Sequence, residues 1–97
     1  MSTFILSLNW TEQGIRSLKD WPKRSKAARE LGKKVGVELK HVYVTSGNSD
    51  LLVIAEAPSG DDVAKFAVAV SALGNVRTST ARAWTEAEFE KLISDLP

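Results

Sequence analysis

Cysteine is absent from this chain, and histidine occurs once. The first absence excludes a disulfide scaffold and any thiolate metal or redox site. One histidine, His41, with neither a cysteine nor an evident carboxylate beside it, argues against a metal centre. No apolar run approaches the ~20 residues of a membrane span, so no membrane partner is expected. Internal repeats, low-complexity stretches and Gly/Ser/Pro-rich linkers are missing too, so residues 1–97 read as a single domain. The opening Met1-Ser2-Thr3-Phe4-Ile5-Leu6 lacks a basic region and a small-residue cleavage site. It reads as a first strand and not a leader, and a cytoplasmic location is the default expectation.

What is present is ordinary for a globular chain: 43% apolar and 26% charged residues, enough for a modest core. A net charge of +1 hides an asymmetry. Residues 11–36 hold eight basic side chains against three acidic ones, whereas residues 49–97 hold eight acids against four bases. One basic helix on a mildly acidic body fits that distribution.

The most informative stretch is Thr45 to Ala57. Gly47-Asn48 suits a tight reversal with positive φ, and Asp50 is placed to accept from amides at the end of the turn. Leu51 to Ala57 is apolar on both faces, as a central strand is. Before it, Phe4, Leu6, Leu8 and Trp10 alternate with Thr3, Ile5, Ser7 and Asn9, which predicts a strand. Thr11 is a candidate N-cap. Ile15, Leu18, Ala28, Leu31 and Val35 form an inward helical stripe that Pro22 interrupts. The expectation is a helix over 12–20, a break near Asp20-Trp21-Pro22 with Trp21 outside helical geometry, and a helix over 22–35 closed by Gly36. Val37, Leu39, His41 and Tyr43 alternate with Glu38, Lys40, Val42 and Val44 in an edge strand.

Ser59 with Asp62 resembles a capping box that opens the next helix. Val63, Phe66, Ala67, Val70 and Leu73 give its buried stripe, and Gly74 its end. Asn75 to Trp84 alternates as a fourth strand. Thr85 with Glu88 is a second capping box, and Phe89, Leu92, Ile93 and Leu96 supply the stripe of a last short helix.

The order is βαββαβα. Two βαβ halves joined by a hairpin give an α+β, ferredoxin-like fold with an added C-terminal helix. The expected four-stranded antiparallel sheet has order 4-1-3-2, with both long helices on one face. The other face, partly apolar, is then left for an interface. Face-to-face oligomerisation into an α+β barrel is the simplest use of it, with the last helix covering the remainder or embracing the partner.

Several segments, in order, resemble the GYD domain family: Phe4-Ile5-Leu6, Asn9-Trp10-Thr11, Gln13-Gly14-Ile15, Gly47 with Asp50, Ala64-Lys65-Phe66-Ala67, Leu73-Gly74-Asn75-Val76-Arg77-Thr78, and Thr85-Glu86 with Glu88-Phe89. Gly47 and Asp50 match the turn that gives the family its name, and Ser49 stands where the motif has tyrosine. The resemblance implies a ferredoxin-like, oligomeric α+β barrel of bacterial type. It implies no particular activity and no cofactor.

Candidate chemistry is sparse. His41 beside Tyr43 is a candidate general base, but a structural or surface role is the commoner one. Arg77 needs a partner when shielded: either Asp50 in an ion pair or an anionic ligand. The junction Asn9-Thr11-Gln13-Gly14 offers helix N-terminal amides, though without the spacing of a dinucleotide or phosphate loop, so capping is the simpler reading. The basic helix suggests nucleic acid, yet the central strand has no stacking aromatics and no matching motif, so none is expected. Trp10, Trp21 and Trp84 read as core or interface anchors.

Three functions remain. The first is an oligomeric module that binds or senses a small molecule, anionic or neutral, in a pocket between sheet and helices or at the dimer face, oriented by Asn9, Tyr43, Arg77 and His41. The second is a cofactor-independent enzyme of the dimeric α+β barrel type, monooxygenase- or isomerase-like. The third is an interaction module without a ligand.

Overall fold

Strict alternation along the first strand puts its largest apolar side chains on one side of the sheet. In the computed structural model, which describes Met1 to Pro97, β1 runs from Ser2 to Trp10. Phe4, Leu6 and Leu8 are buried, while Ile5, Ser7 and Asn9 point to the opposite face. β3 (Leu51–Ala57) alternates in the same way, burying Leu51, Val53, Ala55 and Ala57. β2 (Glu38–Val44) and β4 (Val76–Ala83) complete an antiparallel sheet of order β2-β3-β1-β4. This is the expected 4-1-3-2 order read from the other edge.

The helices α2 (Trp21–Lys34) and α3 (Gly60–Ala72) cover the buried face. An 11-residue core lies beneath them, with Val37, Val63, Phe66 and Val70 meeting the strand residues. A short α1 (Glu12–Arg16) and a 3-10 turn (Leu18–Asp20) lead into α2. The final helix, α4 (Glu86–Ile93), follows β4. The whole is an α+β, ferredoxin-like arrangement with an extra C-terminal helix.

Local expectations met different fates. Thr11 caps α1, its Oγ1 accepting from the Gly14 amide at 3.1 Å. Gly36 (φ +84) and Gly74 (φ +85) follow the ends of α2 and α3 in the left-handed region, which only glycine adopts freely. The Thr85–Glu88 box forms in full. The Ser59–Asp62 box does not: Ser59 occupies the N-cap without a side-chain hydrogen bond. Gly47 keeps negative φ, so the 46–50 turn does not use its freedom.

The break near Pro22 is present, but Pro22 sits in the first turn of α2, where its missing amide costs nothing. Trp21 is therefore helical (φ −50, ψ −46). The first helix is shorter than residues 12–20, and Ile15 and Leu18 are exposed. Leu73, just past α3, is likewise exposed.

Candidate functional site

One sheet face is covered by helices and the other is bare, and the four residues expected to orient a ligand all lie on the bare side. Asn9 on β1 is the cross-strand neighbour of Arg77 on β4. His41 and Tyr43 lie on β2, next to Ile54 and Leu52. A register shift between Leu39 and His41 is responsible for their side. Leu39 and Val42 pack against the core, so the simple alternation expected to keep Leu39 with His41 and Tyr43 is broken. The two aromatic rings stack, with centroids 6.1 Å apart and planes 17° from parallel. Since β2 and β4 are the two edges of the sheet, Tyr43 and Arg77 stand three strand spacings apart, about 14 Å. Within one chain these residues do not converge.

Arg77 does not pair with Asp50. The Asp50 carboxylate accepts from the Trp10 amide at 3.0 Å, and the Asp50 amide donates to Asn9 Oδ1 at 3.0 Å. This reciprocal link ties the 46–50 turn to the end of β1 and uses both groups. The chain's ion pairs are Arg16–Glu12 and Lys40–Glu38, which leaves Arg77 exposed and unpaired.

The enclosed space lies on the other side of the sheet. A cavity of about 120 Å³ opens between α2, α3 and the strands. Leu8, Trp10, Leu51 and Val53 form its floor; Leu39, Val42 and Val76 its flanks; Phe66, Val70 and Leu73 one wall. Trp21, Arg24, Ser25, Ala27 and Ala28 from α2 form the other wall, and Asn75 stands with Arg24 among the few polar residues. Small side chains on α2 leave the room: Ala27 and Ala28 sit where larger residues would close it. Trp10 and Trp21 meet edge to face, centroids 6.3 Å apart at 81°.

A dense polar clasp fixes the rim. Thr11 donates through its amide to Asn75 O (3.0 Å) and through its hydroxyl to Gly74 O (2.6 Å). Gln13 Nε2 reaches Leu73 O (3.2 Å) and Asn75 Oδ1 (3.0 Å). Gly14 is forced by the same contact, since a Cβ there would lie 2.1 Å from Asn75 O. The junction that offered an anion site from sequence is thus a capped, stapled corner. Arg24 is anchored to it: Nη2 donates to Gly14 O (3.2 Å) and Nη1 to Ser17 Oγ (3.3 Å).

Two of the lining residues carry a buried nitrogen with no acceptor in the chain, Trp10 Nε1 and Arg24 Nε. Sequence reasoning took Trp10 and Trp21 as anchors only and passed over Arg24. The signal was there: Trp21, Arg24, Ala28 and Leu31 follow i, i+3, i+7, i+10, so the arginine stands in the apolar stripe.

No cluster of histidine and carboxylate side chains in the molecule could hold a metal ion. No helix is long and apolar enough to cross a membrane. No curated protein matches the sequence closely enough to be counted a relative. The family model described as the GYD domain matches residues 4–93, nearly the whole length and every element from β1 to α4. With that coverage, and with the sheet order that its segments imply, the chain belongs to the GYD domain family.

Proposed function

We propose that the protein is an oligomeric small-molecule binding or sensing module, with its ligand held between the sheet and the two long helices. The observation that carries this reading is the cavity itself: about 120 Å³, lined almost wholly by hydrocarbon, with two buried donors beside it. An apolar cavity of about 150 Å³ accepts a benzene ring, so a molecule of roughly that bulk suits this one.

The oligomer is supported by two uncovered apolar surfaces. Ile5, Leu52, Ile54 and Tyr43 share the bare sheet face. On α4, Phe89 and Leu92 are half exposed, and Leu96 beyond it more so, because the helix makes no extensive contact with any other element. A second copy seated on the bare face would bury both surfaces. It would also bring a second layer over Asn9, His41, Tyr43 and Arg77, which one chain leaves spread. The enzyme alternative draws less support, since the cavity lining contains no carboxylate or imidazole to move a proton.

Native mass spectrometry of freshly purified protein, read beside denaturing mass spectrometry, tests both parts. The expected result is an oligomer carrying a reproducible added mass that denaturation releases. A monomer of bare mass, with none added on incubation with small aromatic compounds, would overturn the reading. Ile54→Asp is expected to shift the population to monomer; an intact oligomer in that variant would move the interface off the sheet face.

A further inference from the structure

We propose that the cavity recognises a small apolar monocarboxylate, with its ring or short chain among Trp21, Phe66 and Val70 and its carboxylate at Trp10 and Arg24. This rests on the binding reading above and adds the chemical class of the ligand.

The argument is one of hydrogen bonding and charge. Buried donors without acceptors are few in folded proteins, and here two of them, Trp10 Nε1 and Arg24 Nε, belong to residues that line one cavity. The remaining nitrogens of Arg24 are held by neutral acceptors, Gly14 O and Ser17 Oγ. Neither of the chain's ion pairs involves it. The guanidinium is therefore fixed in orientation, partly withdrawn from water, and uncompensated by any acid.

A carboxylate supplies what both residues lack: acceptor lone pairs for two N–H groups and one opposite charge. The rest of the lining is hydrocarbon, which sets the remainder of the ligand. A second anionic group would meet no second cation among those walls, so one carboxylate is the limit. Both nitrogens are buried, and both belong to side chains that line the cavity. The carboxylate reaches them by a small displacement of the two side chains, the kind of rotamer adjustment common on binding.

The test is a titration of isotope-labelled protein by nuclear magnetic resonance, following the three indole N–H signals. Trp84, outside the cavity, is the internal control. The probes are benzoate, its neutral isostere benzamide, and toluene. Benzoate is expected to shift the Trp10 signal saturably and to bind at least about tenfold more tightly than benzamide. Arg24→Met, which keeps an unbranched stem, should reduce benzoate to the level of benzamide and leave toluene binding unchanged. Should that variant fail to fold, Arg24→Lys keeps the charge but lacks the Nε donor, and should still weaken benzoate at least about fivefold. Equal affinity for benzoate and benzamide, or benzoate binding indifferent to Arg24, would overturn the carboxylate assignment; toluene binding would then keep the cavity as a purely apolar site. Absence of a saturable shift with all three probes would overturn the assignment and the binding cavity together.

Discussion

The two faces of the sheet are built from adjacent residues of the same strands, yet one is a finished protein interior and the other is not. On the helix side, Leu6 is fully buried and Val53 nearly so, and the rim is stapled by hydrogen bonds between the β1–α1 and α3–β4 corners. On the bare side, Ile5 and Ile54 face each other across the β1–β3 pair with nothing over them in the same chain. The difference shows that alternation alone does not make a core. It makes two candidate cores, and the helices that follow choose one.

The largest expected effects come from substituting neighbours on opposite faces. Leu6→Ala removes a fully buried side chain and should cost about 3–4 kcal/mol in chemical denaturation. Ile5→Ala, one residue away, should cost less, about 1 kcal/mol, in dilute protein, where the side chain is only partly buried. If a second copy covers that face, the cost of Ile5→Ala should rise with protein concentration while that of Leu6→Ala stays level. Equal costs at every concentration would erase the distinction between the faces.

A second pair separates the stapled rim from the hairpin tip. At Gly14 an added Cβ would lie 2.1 Å from Asn75 O, which is backbone and cannot rotate away. Gly14→Ala should therefore destabilise by about 1–3 kcal/mol, as overpacking does, and should loosen the cavity rim. At Gly47 a Cβ would meet only Thr45 Oγ1 at 4.0 Å, and the backbone has no positive φ to defend. Gly47→Ala should stay within about 0.5 kcal/mol of the parent. Thermal melts of both variants settle the ranking.

The same contrast explains how much was legible in the sequence. Alternation along β1 marked its inward face, the two-sided apolarity of Leu51–Ala57 marked a central strand without saying which side the helices cover, and the βαββαβ order set the topology, because all three follow from local pattern and chain connection. Irregularities of register were not legible. The shift between Leu39 and His41 reverses which β2 residues meet the core, and no residue type there announces it. Helical stripes named Ile15, Leu18 and Leu73 as inward, yet all three are exposed, and Leu73 only borders the cavity. At the site, the sequence drew attention to conspicuous polar residues, Asn9, Tyr43, Arg77 and His41, which share a face without meeting. The cavity instead depends on Ala27 and Ala28 being small and on an arginine in an apolar stripe, features that acquire meaning only when α2 is laid on the sheet.

The smallest expected effect lies at α4, the element with least support from the rest of the chain. The Glu88 carboxylate accepts from the Thr85 amide at 2.8 Å, and that hydrogen bond, first among the causes, holds its pKa below the ordinary glutamate value. A carboxyl whose pKa is lowered on folding contributes its stabilisation fully above the unfolded value, and the contribution fades as pH falls through the lower, folded one. The N-terminal turn of α4 should therefore loosen on acidification within the carboxylate range, seen as faster amide exchange at Thr85 and Glu88. Glu88→Gln keeps an acceptor and should flatten that pH dependence. Because α4 makes no extensive contact with any other element, the β1 and β3 amides should not respond at the same pH. A simultaneous response of the strands would mean that α4 is coupled to the bare face after all, as it would be if a second copy held both.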